Sequence, residues 1–270
     1  MTVKLPTGVL VAFEGIDGAG KTTQARRLGG LLHAAGFDVV QTKEPTNGRW
    51  GRVLRESAQH GRLPPEEELA TFLKDRRVHV RHLIRPALVA GKVVIVDRYY
   101  FSSVAYQGSR GLDPSMIVAL NEEFAPHPDL LIMLQVPPAI GLDRIRARGD
   151  VANLFEREEE LAKAASIFRD TERPFILRID GTLPIDEIGD HVVQALLDGP
   201  LLDRLCAKKA DHCAPGFCAF IADCAHAHLA LHPAADPAPA AAVAAIAANT
   251  SLTPEEQLRR TMAVFGLDEP

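Results

Sequence analysis

Along the first two hundred residues, short apolar runs alternate with longer stretches whose apolar residues recur at helical spacing. Val9-Leu-Val-Ala-Phe13, Val39–Thr42, Val93–Val96, Leu130–Val136 and Phe175–Ile179 have the length and composition of buried strands. Lys21 to Ala35 is predicted to be helical, with Gly36 where a C-terminal cap belongs. Pro64-Pro65 opens a long helix and places Glu66, Glu67 and Glu68 at its positive end. Asp113 and Pro114 form a cap and first-turn pair. Further helices are predicted from about Pro138 to Ala147, from about Glu156, and over Ile185–Leu197. Strand and helix in alternation predict an α/β fold of three layers (α/β/α) around a five-stranded parallel sheet.

The pattern changes after Gly199-Pro200. Residues 1–199 form one predicted body and residues 200–232 a helical extension holding every cysteine. Residues 233–248 are almost all Ala and Pro, a linker composition, and residues 249–270 carry a last helix. In that helix Thr253 is the cap, Pro254 the first turn and Glu256 the capping-box acid, while Leu258, Met262 and Phe265 share a face. The C-terminal extension is therefore expected to be mainly helical. Two readings remain open: Cys206, Cys213, Cys218, Cys224, His226, His228 and His232 include a zinc site, or the cysteines are small apolar core residues of an added helical pair.

Composition narrows the partners. The 270 residues are 47% hydrophobic and 24% charged, an ordinary globular balance, and the net charge of −5 argues against a nucleic-acid partner. The one short basic cluster is Arg144, Arg146 and Arg148. No apolar run approaches the roughly 18 residues that span a bilayer, so no membrane association is expected. The segment before Val9 lacks a secretory apolar core, and a cytoplasmic location is expected.

Chemistry concentrates at two places. Gly15-Ile16-Asp17-Gly18-Ala19-Gly20-Lys21-Thr22, followed by Thr23, fits the phosphate-binding loop in full and lies between a strand and a helix. Glycines let backbone N–H groups curl around a phosphate, and the helix N-terminus adds positive potential. Lys21 suits the β- and γ-phosphates of ATP, and the Thr22 hydroxyl suits Mg²⁺. Asp97-Arg98-Tyr99 stands at the carboxyl end of a strand, where sheets of this class place ligands. Asp97 suits Mg²⁺ as well, and Arg98 can fork onto a phosphate. No Asn-Lys-x-Asp motif for reading guanine is present.

Joined together, these motifs are specific. Phe13-Glu-Gly-Ile-Asp-Gly-Ala-Gly-Lys-Thr-Thr-Gln24, Glu44-Pro45-Thr46, Asp97-Arg-Tyr-Tyr-Phe-Ser-Ser-Val-Ala-Tyr-Gln-Gly108 and Pro128-Asp-Leu with Val136-Pro-Pro138 resemble the thymidylate kinase family of P-loop nucleoside monophosphate kinases over residues 8–197. The resemblance implies ATP and dTMP as substrates, Mg²⁺ as cofactor and a homodimer. It implies that Asp17 meets the sugar 3′-OH, that Phe72 stacks on thymine and that Arg76, four residues on along the same helix face, donates to the base's carbonyl edge. Arg98 holds the acceptor phosphate, Ser102 and Ser103 lie near the base's polar edge, Tyr106 packs under the deoxyribose, Gln107 positions the base, and Phe155 is an aromatic near the nucleotide.

The phosphate loop holds no arginine, so the resemblance further implies a lid that supplies one. After Gly149 the chain departs from the family's lid pattern, with Ala152-Asn153 where a basic residue often stands, and both Arg148 and Arg144 are candidates. The expected reaction is in-line transfer of the ATP γ-phosphoryl group without a general base, because a phosphate monoester with a second pKa of about 6 is already largely anionic. Two other readings stay open: a kinase for another nucleoside monophosphate, and a non-catalytic nucleotide-binding module serving the Cys/His tail.

Overall fold

A computed structural model describes residues 5–147, 149 and 154–201, together with the single positions 204, 245, 251, 256 and 260. The five predicted strands form one parallel sheet: β1 (Val9–Glu14), β2 (Val39–Lys43), β3 (Val93–Asp97), β4 (Leu130–Gln135) and β5 (Ile176–Asp180), in the order β2-β3-β1-β4-β5. Their composition explains their rank. β1 is buried along its whole length, and β3 and β4 are buried at all but their last residue, as both-face-covered strands must be. The more polar β2 and β5 take the edges, where their side chains are partly exposed.

Helices cover both faces. They are α1 (Lys21–Ala34), α2 (Arg49–His60), α3 (Pro65–His79), α4 (Arg85–Val89), α5 (Tyr100–Ser109), α6 (Pro114–Glu122), α7 (Pro138–Ala147), α8 (Leu154–Asp170) and α9 (Ile185–Leu196). Asp113 caps α6 as predicted, its carboxylate accepting from Ser115 N–H at 2.8 Å. The long helix opened by Pro65 does not run unbroken. It widens into a π-helical stretch, Val80–Ile84, before α4 begins. Pro86 supplies the physical reason, since a proline removes one intrahelical donor and crowds the carbonyl four residues back. α2 carries apolar residues at helical spacing, Trp50, Val53, Leu54 and Ala58; its buried residues are Gly51 and Leu54, and it packs on α3.

Topology fixes where a ligand can sit. β1 lies between β3 and β4, so the chain order reverses at its carboxyl end and leaves a crevice there. In register, Phe13 lies opposite Asp97, and Asp97 opposite Lys43. The residues that follow each strand, namely the phosphate loop, Arg98 and Glu44, are therefore delivered to one edge of the sheet.

Packing continues beyond residue 199. Leu201 is fully buried, and Arg204 donates to Asp129 at 2.6 Å, whose other oxygen accepts from the N–H of Leu10 in β1. The cysteines and histidines of the extension lie outside the described residues, as do the linker apart from Ala245 and most of the last helix; Glu256 and Arg260 are helical. No helix among the described residues is long and apolar enough to cross a membrane.

Candidate active site

The phosphate loop closes on itself around Lys21. The ammonium donates to the carbonyls of Gly15 at 2.9 Å and Ile16 at 2.7 Å. Burial, and then the neighbouring Arg98 guanidinium, pull its pKa down to about 7. Ile16 and Ala19 bury their side chains in the core and offer the site only backbone. Gly18 has a φ of 82°, and any side chain there would strike the backbone of Gly141 in α7. Gly141 in turn has room for none, since a Cβ would come within 2.6 Å of the Asp17 carbonyl. Loop and helix α7 thus touch backbone to backbone. Arg144 fastens this contact by donating to the carbonyls of Gly18 at 3.2 Å and Gly181 at 3.0 Å.

Thr22 and Asp97 meet as the sequence implied, the hydroxyl donating to Asp97 Oδ2 at 2.5 Å. Asp97 Oδ1 is buried with no hydrogen-bond partner. A hydroxyl and a carboxylate with an unused oxygen are the hard oxygen donors that Mg²⁺ takes, so the residues present fit that ion. Thr23 is exposed on the first turn of α1.

Arg98 occupies a strained position. Among the described residues it is the one non-glycine with positive φ, 69°, a conformation that costs about 1–3 kcal/mol. The end of β1 holds it from both sides. Its N–H donates to the Phe13 carbonyl at 3.0 Å, and the next N–H, that of Tyr99, donates to Glu14 Oε1 at 2.7 Å. Glu14 also accepts from the N–H of Ser102 at 2.9 Å and the hydroxyl of Ser102 at 2.6 Å, at the N-terminus of α5. Burial drives the Glu14 pKa up to about 7 against these donors. The Arg98 guanidinium pairs with Asp17 and lies 5.6 Å from the centre of the Tyr106 ring, whose hydroxyl accepts from Asp17 N–H at 3.0 Å. Burial opposes the arginine's charge, but Asp17, Glu14 and Asp97 around it raise its pKa above the ordinary value.

Next to Arg98 opens a cavity of about 640 Å³ whose walls include Asp17, Phe72, Arg76, Ser102, Tyr106 and Gln107, all implied acceptor residues. Phe72 and Arg76 share one face of α3, as their spacing requires. Arg76 is only 1% exposed and is fully framed: Nε donates to Glu44 at 2.6 Å, Nη1 to Asn121 at 2.5 Å and Nη2 to Ser103 at 3.1 Å. Ser103 therefore acts on the arginine from behind, while Ser102 reaches the cavity. Glu44 also accepts from His79 Nδ1 at 2.9 Å, and the other ring nitrogen lies 2.8 Å from the Thr42 hydroxyl. Burial would raise the Glu44 pKa, but Arg76 and His79 carry it below the usual carboxylate value.

Arg148 lies outside the described residues. Phe155 falls on the first turn of α8, with its side chain outside the description. Three carboxylates that build the site were missed as site residues: Glu14, Glu44 and Glu68. Glu14 carries a sequence signal, a charge directly ending a wholly apolar strand. Glu68 has the sequence position of a helix-dipole acid, yet it is 5% exposed.

A strand–loop–helix with a buried lysine, a carboxylate at the end of the neighbouring strand, and an arginine between the loop and an acceptor cavity define a P-loop phosphotransferase for a small anionic acceptor. Comparison with known proteins agrees and goes further. A family model described as thymidylate kinase matches residues 13–192. The thymidylate kinase of Akkermansia muciniphila is 51% identical over 189 residues, 70% of this chain and 91% of the relative. That of Xanthomonas campestris pv. campestris is 50% identical over 206 residues, 76% and 90% of the two chains, and that of Xanthomonas oryzae pv. oryzae 49% identical over 211 residues, 78% and 92%. The chain belongs to the thymidylate kinase family.

Proposed function

We propose that the protein transfers the γ-phosphoryl group of ATP to dTMP, giving dTDP, in the cytoplasm and as a homodimer. The observation that carries this is the position of Arg98, clamped in a left-handed conformation between the phosphate loop and the cavity walled by Phe72 and Arg76. A dTMP seated with its base against Phe72 and Arg76 would present its phosphate to Arg98 and to the loop beyond it. Asp17 and Tyr106 both line the cavity, and in this reading Asp17 would meet the sugar hydroxyl and Tyr106 the deoxyribose face.

Positioning and charge neutralisation then carry the reaction. Lys21 exchanges its two loop carbonyls for the β- and γ-phosphates, which restores a full positive charge to an ammonium that burial disfavours. Arg98 forks onto the acceptor phosphate and holds one of its oxygens in line. No residue need take a proton from an acceptor that is already anionic. Mg²⁺, held by Thr22 and Asp97, supplies further neutralisation of the phosphates when bound. Of the two lid candidates, Arg144 is engaged with loop carbonyls, which favours Arg148 as the lid cation. The kinase body is residues 1–199 with the packing of Leu201 and Arg204 added, and a dimer accords with the exposed apolar side chains of Val78, Leu83 and Met116.

The test is to incubate the protein with γ-labelled ATP, dTMP and Mg²⁺ and to follow the label. Label appearing in dTDP, and lost on chelation of the metal, is the expected result. Label released only as inorganic phosphate would contradict the assignment.

A further inference from the structure

A second polar group of the cavity wall is oriented by a separate cluster. Gln107 on α5 is 1% exposed and lines the cavity. Its Nε2 lies 3.0 Å from Glu68 Oε2, and its Oε1 is buried without a hydrogen-bond partner. A carboxylate can only accept, so the NH₂ side of the amide must face Glu68 and the carbonyl oxygen must face away. Glu68 is itself fixed. Arg62 donates to both of its oxygens, at 3.1 and 3.0 Å, and Arg110 donates at 2.7 Å. Burial would raise its pKa, but the hydrogen bonds of Arg62 and Gln107 and the charges of Arg62 and Arg110 hold it below the usual range, so it stays an acceptor.

We propose that Glu68 is a specificity-determining positioning residue: it locks the Gln107 amide so that the pocket offers one acceptor beside the donors of Arg76, a pair that fits the N3–H and O4 edge of thymine or uracil and mismatches cytosine. The inference rests on the base pocket assigned above and deepens it. Glu68, Phe72 and Arg76 follow one another at four-residue spacing along α3 and face Gln107 and Ser103, one turn apart on α5. Arg76 meets Ser103 at one rung and Glu68 meets Gln107 at the other, with Phe72 between them. Cytosine presents a donor at C4 and an acceptor at N3, the reverse order. It would set donor against donor at Arg76 and acceptor against acceptor at Gln107, leaving buried groups unpaired. That is how a polar site achieves large discrimination. Were the amide free to turn, the Gln107 half of this reading would be lost.

The test compares kcat/KM for dTMP and dCMP in four proteins: the unaltered chain, Glu68→Gln, Gln107→Leu and the double variant. In Glu68→Gln the new amide can donate as well as accept, so the Gln107 amide is released. The expected result is a fall in dTMP-over-dCMP discrimination of about tenfold or more. In the Gln107→Leu background the same change at position 68 should leave discrimination where Gln107→Leu alone puts it. Unchanged discrimination in Glu68→Gln, or an equal loss in both backgrounds, overturns the proposal. Should Glu68→Gln fail to fold, Arg62→Met removes one of the two guanidinium groups holding Glu68; a several-fold loss of discrimination is expected, and none would overturn the proposal. A failure of the base pocket itself would show separately, as no preference for dTMP in the unaltered chain.

Discussion

The two halves of the site are built from different material. On the donor side, main-chain N–H groups, three positive-φ glycines and one lysine, all within eight consecutive residues, make the phosphate cradle. On the acceptor side, side chains from β1, β2, α3, α5 and α6 converge, and carboxylates hold cations of the wall in place: Glu44 holds Arg76 and Glu68 holds Arg62. A backbone cradle accepts any polyphosphate of the right size. A wall of oriented side chains discriminates, and depends on every member of its buried network.

Substitutions can sharpen this contrast, and the largest effect is expected on the donor side. Lys21→Ala should lower kcat by about 10³-fold, because it removes the buried ammonium that would neutralise the β- and γ-phosphates. Arg98→Ala should lower turnover by about 10²- to 10³-fold while ATP binding, measured by calorimetry, persists. Near-normal turnover would remove Arg98 from the mechanism. Glu44→Gln acts on stability first. It leaves the buried Arg76 without a full counter-charge, at a cost of about 3–5 kcal/mol in chemical denaturation.

The same pair gives a pH signature. The folded pKa of Glu44 lies below the ordinary value of 4.5, so its contribution is complete above that pH and is lost as pH falls through the folded value. Glu44→Gln should therefore flatten the acid limb of the stability curve, and an unchanged acid limb would contradict the depressed pKa. Phe72→Ala should raise KM for dTMP about tenfold through lost stacking, with little change in the KM for ATP. The smallest effect is expected from truncation after Arg204, which keeps Leu201 in the core and the Arg204–Asp129 bond. Turnover close to the full-length value is expected; loss of turnover would make the extension part of the catalytic body.

Legibility in the sequence followed the same divide. The strands were readable because both-face burial demands unbroken apolar runs, and Lys21, Thr22 and their glycines because a backbone cradle must be contiguous. Phe72 and Arg76 were readable through their helical spacing once the surrounding motifs gave a family. Their supports were not. Glu44 lies thirty-two residues before Arg76 and Asn121 forty-five after it, and no local pattern announces a contact made by tertiary packing. Glu68 had a sufficient local explanation as an acid in a first helical turn, which hid its burial. α2 has no capping side chain at Gly48 and a glycine, Gly51, in its first turn, so the helical spacing of Trp50, Val53, Leu54 and Ala58 comes without a start signal.

The most direct test measures kcat/KM with ATP and Mg²⁺ for dTMP, dUMP, dCMP, UMP, CMP, dGMP and AMP, by ADP release. The expected result is a clear preference for dTMP, with dUMP ahead of dCMP because it shares thymine's hydrogen-bonding edge. Preference for a cytosine or purine nucleotide would refute the acceptor wall of Phe72, Arg76 and Gln107, and no turnover with any acceptor despite ATP binding would refute the kinase assignment.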